Sequence, residues 1–148
     1  MPSLVSNKKI RLNFEILETF EAGIELLGHE AKAVQKSLAT LDGAHVTVRG
    51  GEAFLIGATI SPYQPNNIAK DYDPTRLRRL LLSKKQLKEL ADKESVKGLT
   101  IVPISLYSKG RKIKVEIAIV RGKKQFDKRQ TMKERAVKRD INRTLKTQ

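Results

Sequence analysis

Cysteine and tryptophan are both absent from the 148 residues. Without thiols the chain can form no disulfide framework, no Cys-ligated zinc site and no thiolate nucleophile, a composition that fits the cytosol. Histidine is nearly absent too. His29 and His45 stand apart, without the spacing of metal ligands. Aromatic residues make up only 5% of the chain, so its core must be mainly aliphatic. Long apolar runs are missing. The opening stretch Met1-Pro2-Ser3-Leu4-Val5-Ser6-Asn7-Lys8-Lys9 predicts neither a signal peptide nor a membrane span, and a cytoplasmic location is expected. There is no glycine loop for phosphate, no nucleophile elbow and no HExxH helix. The carboxylates of residues 15–30 have the spacing of a strand's solvent face rather than of a metal-dependent nuclease. The expectation is a protein that is not an enzyme and needs no cofactor or metal.

What the chain has in excess is positive charge, a net +14 with a pI near 10.1. Such a balance implies a polyanionic partner. The charge is one-sided. Residues 1–73 hold 7 basic and 9 acidic side chains, whereas residues 74–148 hold 23 basic and 7 acidic ones. The first half reads as scaffold and the second as the electrostatic footprint.

Hydrophobic periodicity predicts a mainly β domain over residues 1–121. Leu12, Phe14 and Ile16 alternate with polar neighbours and Phe20 continues the pattern, with Leu17 out of phase. Glu21-Ala22-Gly23 predicts a bend or bulge before Ile24–Leu27 extends the strand. A short helix is expected over Glu30–Leu38. A hairpin follows, with Val46 and Val48 on one strand, Arg49-Gly50-Gly51-Glu52 as the turn and Ala53–Ile60 returning. Residues 61–75 read as a loop. Leu80-Leu81-Leu82 reads as a helical turn or short linker before a helix that starts near its N-cap Ser83. Leu99–Tyr107 and Val115–Ile119 form a second hairpin. About six strands with two or three helices, in this order, predict a small closed barrel with helices over its openings.

From Arg121 onward the chain carries 11 basic and 3 acidic residues. Met132, Val137, Ile141 and Leu145 make a stripe too thin to hold a helix alone in water. Residues 122–148 are therefore expected to form a basic C-terminal tail, disordered when free and helical against RNA.

Two clusters carry recognition chemistry. Asp73-Pro74-Thr75-Arg76-Leu77-Arg78-Arg79 places three arginines within four positions beside an exposed loop, and guanidinium forks suit phosphate. Its plain alternative is a surface Asp73–Arg76 pair. Gly122-Lys123-Lys124-Gln125-Phe126-Asp127-Lys128-Arg129 surrounds one aromatic with cations; Phe126 can stack on a base or pack in a core. Gly122 would let the chain leave the last strand sharply. Asn7-Lys8-Lys9 is a weaker third signal.

At these clusters the sequence resembles the SmpB family, the bacterial SsrA-binding proteins. The resemblance runs in order through Asn7-Lys8-Lys9, Phe20-Glu21-Ala22-Gly23-Ile24, Gly28-His29-Glu30-Ala31-Lys32, Gly51 to Ala58, Asp73-Pro74-Thr75-Arg76, Leu80-Leu81-Leu82, Ser105-Leu106-Tyr107 and Gly122 to Arg129. It implies a closed six-stranded OB-like barrel with flanking helices. It implies binding to the tRNA-like domain of transfer-messenger RNA, delivered with elongation factor Tu and GTP to stalled ribosomes, and no membrane partner. The tail would become helical in the empty messenger channel, against small-subunit ribosomal RNA at the decoding centre, so that the stalled peptide is tagged. A monomer is expected.

Asn7, Glu21 and Leu81 match family positions tied to RNA binding, and Lys8, Lys9, Arg76, Arg78 and Arg79 are added as candidate contacts. Asp127, Lys128 and Arg129 match the tail motif needed for tagging, with Gly122, Lys123, Lys124 and Phe126 beside them. Leu12, Phe14 and Phe126 stand where many family members carry a histidine, a tyrosine and a histidine. A structural protein of the ribosome is the alternative reading of the same composition.

Overall fold

The computed structural model describes residues 3–63 and 71–122. The tail candidates Lys123, Lys124, Phe126, Asp127, Lys128 and Arg129, and the expected tail helix, lie outside the described residues.

The described chain is mainly β. Its elements are β1 (Ser3–Ser6), α1 (Ile10–Asn13), β2 (Phe14–Ile24), α2 (Gly28–Gln35), β3 (Ala39–Thr40), β4 (His45–Arg49), β5 (Glu52–Ile56), β6 (Thr59–Ile60), β7 (Arg78–Leu81), α3 (Lys84–Glu94), β8 (Leu99–Lys109) and β9 (Lys112–Gly122). Seven strands share one antiparallel sheet in the order β1-β8-β4-β5-β7-β2-β9, and β8 also pairs with β9. β3 and β6 form a separate two-stranded ladder.

The core is aliphatic, as the composition requires. Phe20, Ala22, Ile24, Val46, Ala53, Leu55, Leu80, Ile101, Leu106, Val115, Ile117 and Ile119 meet inside, with Val34 of α2 and Leu90 of α3. A smaller cluster of Ile10, Val102, Ala118 and Val120 lies outside the sheet, with Phe14, Ile16 and Ile104 against it. The predicted first strand divides between these two. Ile10–Asn13 is a single helical turn that drives Ile10 into the outer cluster. The register then shifts between Ile16 and Glu18, so the bulge sits at Leu17 rather than at Glu21-Ala22-Gly23. One extra residue exchanges the two faces of a strand. The even-numbered apolar residues Phe14 and Ile16 therefore pack outside, while Phe20, Ala22 and Ile24 pack inside.

α2 begins two residues earlier than periodicity predicts. Glu30 reaches back to accept the backbone N–H of Leu27 at 2.8 Å. The helix ends early at a left-handed Ser37 (φ 60°), where Ser37 N–H bonds to Val34 and Leu38 N–H to Ala33. This pair of bonds satisfies the last carbonyls and turns the chain away. α3 follows its prediction: Ser83 caps Gln86, and Gln86 returns the bond. Leu80-Leu81 is part of a strand, β7, pairing with both β5 and β2. Its alternation was disguised because a charged residue, Arg78, takes an inward position and an apolar one, Leu81, an outward one.

Candidate nucleic-acid interface

The arginine cluster of residues 76–79 divides: Arg78 turns inward, Arg76 is partly buried and Arg79 is exposed. Arg78 is fully buried. Its Nε and Nη2 donate to Glu30 Oε2 at 3.1 and 2.6 Å, Nη1 to the carbonyls of Ala58 and Arg76, and Nη2 also to Tyr72 Oη and the Pro74 carbonyl. Every guanidinium donor is thereby occupied. Arg76 donates to both oxygens of Glu30, through Nε to Oε2 at 3.0 Å and through Nη2 to Oε1. Tyr72 Oη donates to Glu30 Oε2 at 2.8 Å. Burial pushes the Glu30 carboxyl up, but the bonds from Arg76, the Leu27 N–H, Arg78 and Tyr72 outweigh it and hold its pKa down at about 2. Asp73 does not pair with Arg76; it accepts from the backbone and hydroxyl of Thr75. Arg79 stays half exposed between Glu25 at 3.1 Å and Glu52 at 3.3 Å. Arginines 76, 78 and 79 thus already carry carboxylate partners.

Asn7 is buried. Its amide donates to the Leu41 carbonyl at 3.1 Å and to the Pro103 carbonyl at 3.4 Å, and its backbone N–H bonds to Ile104 at 2.8 Å. It ties the segment after β1 to β8 and to the Leu41 turn. Asn7→Ala would remove both side-chain bonds and leave the Leu41 carbonyl only the Ala44 N–H at 3.0 Å, and a destabilisation of about 1–3 kcal/mol is expected in urea unfolding. Lys8 and Lys9 are exposed beside it.

Glu21 and Leu81, far apart in sequence, come together. Gly23 of β2 lies opposite Leu81 of β7, and Glu21 is two residues along the same strand. Leu81 is 48% exposed, unusual for a leucine within a strand. Glu21 is exposed. It accepts from the Tyr107 hydroxyl at 2.5 Å and from the Lys109 ammonium at 3.1 Å. These two groups hold its carboxyl below the usual carboxylate range. Burial and the Glu21 carboxylate push Tyr107 up, so its hydroxyl keeps its proton and donates. The result is an oriented anion beside an apolar side chain, an arrangement suited to accepting hydrogen bonds from base amino groups or ribose hydroxyls while a sugar or base edge covers the leucine. Sequence reasoning missed Tyr107 and Lys109 as partners of Glu21. The signal was the phase of β8, in which Tyr107 is polar and out of step with its buried neighbour Leu106.

The sequence-predicted residues therefore divide. Glu21 and Leu81 share a face; Asn7 is internal; Arg76 and Arg78 build an ion cluster with Glu30. Gly122 closes β9 opposite Phe14 and does not take a left-handed φ. Among the described residues no group of three or more His, Asp or Glu side chains is placed to hold a metal ion.

Fold, charge asymmetry and this polar and apolar face define a small basic β protein built to meet a polyanion. The family model described as SmpB protein matches residues 4–147. Relatives named SsrA-binding protein include those of Mesoplasma florum, 46% identical over 95% of this chain and 94% of theirs, and Thermosipho africanus, 44% identical over 99% and 98%. That of Microcystis aeruginosa is 44% identical over 97% and 93%. A solved structure described as "tmRNA-SmpB: a journey to the center of the bacterial ribosome" aligns with a TM-score of 0.69 at 40% identity, covering 81% of this chain and 84% of that one. The chain belongs to the SmpB family.

Proposed function

We propose that this chain binds the tRNA-like domain of transfer-messenger RNA and helps deliver it to stalled ribosomes for peptide tagging and ribosome rescue. The carrying observation is the match to the family over residues 4–147, which spans both the folded region and the basic tail. The protein acts as an adaptor rather than an enzyme, in the cytoplasm, as a monomer. It works beside elongation factor Tu with GTP in the delivery complex. The Glu21–Leu81 face contributes to holding the RNA. Lys123, Lys124, Phe126, Asp127, Lys128 and Arg129 act with the rest of the tail in the empty messenger channel, against small-subunit ribosomal RNA at the decoding centre.

We also read the main sheet as a closed six-stranded OB-like barrel. The supporting observation is that its pairings, followed from β8 through β4, β5, β7, β2 and β9, return to β8.

The direct test compares binding of the isolated tRNA-like domain with that of an ordinary tRNA across a salt series. The expected result is preference for the tRNA-like domain and a steep salt dependence. Displacing counterions from 6–10 phosphates would cost about 10³–10⁵ in affinity between roughly 50 and 200 mM salt. Equal binding of both RNAs, or affinity flat across that range, would overturn the reading.

A further inference from the structure

Between α3 and the β4–β5 turn runs a groove of about 490 Å³ that shares no lining residue with the Glu21–Leu81 face. Lys84, Leu87, Lys88 and Ala91 form one wall, a spacing that sets all four on one side of the helix. Val48 and Leu87 are partly buried edges of the core, so the base of the groove is apolar. The facing wall is the turn, and it carries no side chains. Gly50 and Gly51 have φ of 61° and 76°, and a Cβ on either would meet nothing within 4 Å.

The two walls are tied together. Glu94, at the end of α3, accepts the Val48 N–H at 2.9 Å, the Thr47 hydroxyl at 3.3 Å and Arg49 Nη1 at 2.7 Å. Leu90, fully buried, anchors the same helix on the core. The groove is therefore in place before any ligand arrives. Glu94 is occupied by β4, and among the described residues neither Lys84 nor Lys88 forms an ion pair. The lining holds no aromatic ring to stack on a base and no side-chain amide or hydroxyl to read one. What it offers is an apolar base, two ammonium groups one helical turn apart, and a bare turn that another backbone can approach closely.

We infer that this groove is a docking site for a protein partner: an acidic polypeptide segment that sets one apolar side chain on Val48 and Leu87 and its carboxylates against Lys84 and Lys88. Charge complementarity and the apolar base together select this occupant. A phosphodiester would satisfy the ammonium groups but leave the base uncovered, whereas a leucine-like side chain covers it and gains from its own burial. The inference goes beyond RNA binding, because the folded domain then holds RNA through other residues and a protein through these.

The test titrates the isotope-labelled full-length protein with a short acidic peptide carrying one leucine between glutamates, and follows backbone amide shifts. The amides of Gly50, Gly51, Leu87 and Ala91 should move, with half-saturation at or below about 1 mM. Replacing the peptide's leucine by serine should weaken binding by about tenfold or more. Lys84→Gln and Lys88→Gln should each weaken it by about 2–5-fold. Lys93→Gln and Lys97→Gln, which remove the same charge outside the groove, should leave it unchanged. Lys84→Glu combined with Lys88→Glu should reverse the preference, toward a peptide with lysines in place of the glutamates, an outcome that loss of folding cannot imitate. No shift at these four amides, equal binding of the leucine and serine peptides, or wild-type peptide affinity in the Lys84→Gln and Lys88→Gln variants would overturn the inference. So would variants in which each lysine lost lowers the salt slope for the tRNA-like domain by about one while peptide binding stays, since the groove would then be an RNA contact. None of these outcomes touches the wild-type preference for the tRNA-like domain, on which the proposed function stands.

Discussion

Glu30→Gln is expected to destabilise the folded domain by about 3–5 kcal/mol, the cost of leaving a buried charge without its counterion. Arg78 has no exposed surface, and its strongest bond is to Glu30 Oε2 at 2.6 Å. Glutamine keeps the shape but removes the charge that Arg76, Arg78 and Tyr72 share. Urea unfolding measures the loss, and a loss under about 1 kcal/mol would show that the guanidinium finds other compensation. Glu30→Gln combined with Arg78→Met should recover part of it, because the second change removes the stranded cation. The pH dependence has a definite sign. The folded pKa of Glu30 is depressed, from 4.5 to about 2. Its contribution is complete above the unfolded value and is lost as pH falls through the folded one. That contribution is about 3 kcal/mol. The wild type should therefore approach the Glu30→Gln variant in stability between pH 4.5 and about 2, and the two should differ most near neutrality.

Removing residues 123–148 is expected to abolish peptide tagging on stalled ribosomes while leaving most of the affinity for the tRNA-like domain. The cut falls just after Gly122, the last residue of β9, so no described strand loses a partner. Unfolding free energy should change by no more than about 0.5 kcal/mol. Tagging in a reconstituted translation reaction and RNA binding to the same protein separate the two roles. Loss of both, with the domain still folded, would mean that the tail and the folded surface hold one RNA together.

The elements that sequence periodicity located well are those in which one face is uniformly apolar. The β4–β5 hairpin has Val46 opposite Leu55 and two glycines, Gly50 and Gly51, supplying left-handed turn positions. α3 has Leu87, Leu90 and a Ser83 cap. β7 escaped because its inward and outward chemistry is inverted at Arg78 and Leu81, an ion cluster and a binding face overriding the usual rule. The start of β2 was legible as a strand but not in its facing, because Phe14 and Ile16 are apolar on the outer face, where a satellite cluster with Ile10 of α1 needs them. β1, β3 and β6 are too short, at 4, 2 and 2 residues, for any alternation to show. Among the site residues, Glu21 and Leu81 were legible only through family resemblance, since nothing local marks a strand glutamate or a leucine in a leucine run. The arginines were legible as charge but not as partners of Glu30, because pairing across 46 and 48 residues leaves no sequence trace.

The long ladder between β2 and β9 sets an order on synthesis. β2 is complete at residue 24, yet the strand that covers one of its edges ends at residue 122. A nascent chain therefore carries β2 with that edge unsatisfied until nearly all of the domain has left the exit tunnel, while the β8–β9 hairpin can form locally as soon as it emerges. Glu15, Glu18, Glu21 and Glu25, exposed along and just beyond β2, place negative charge on the waiting strand and oppose its pairing with another copy. The acidic first half thus also guards the chain before its own last strand arrives.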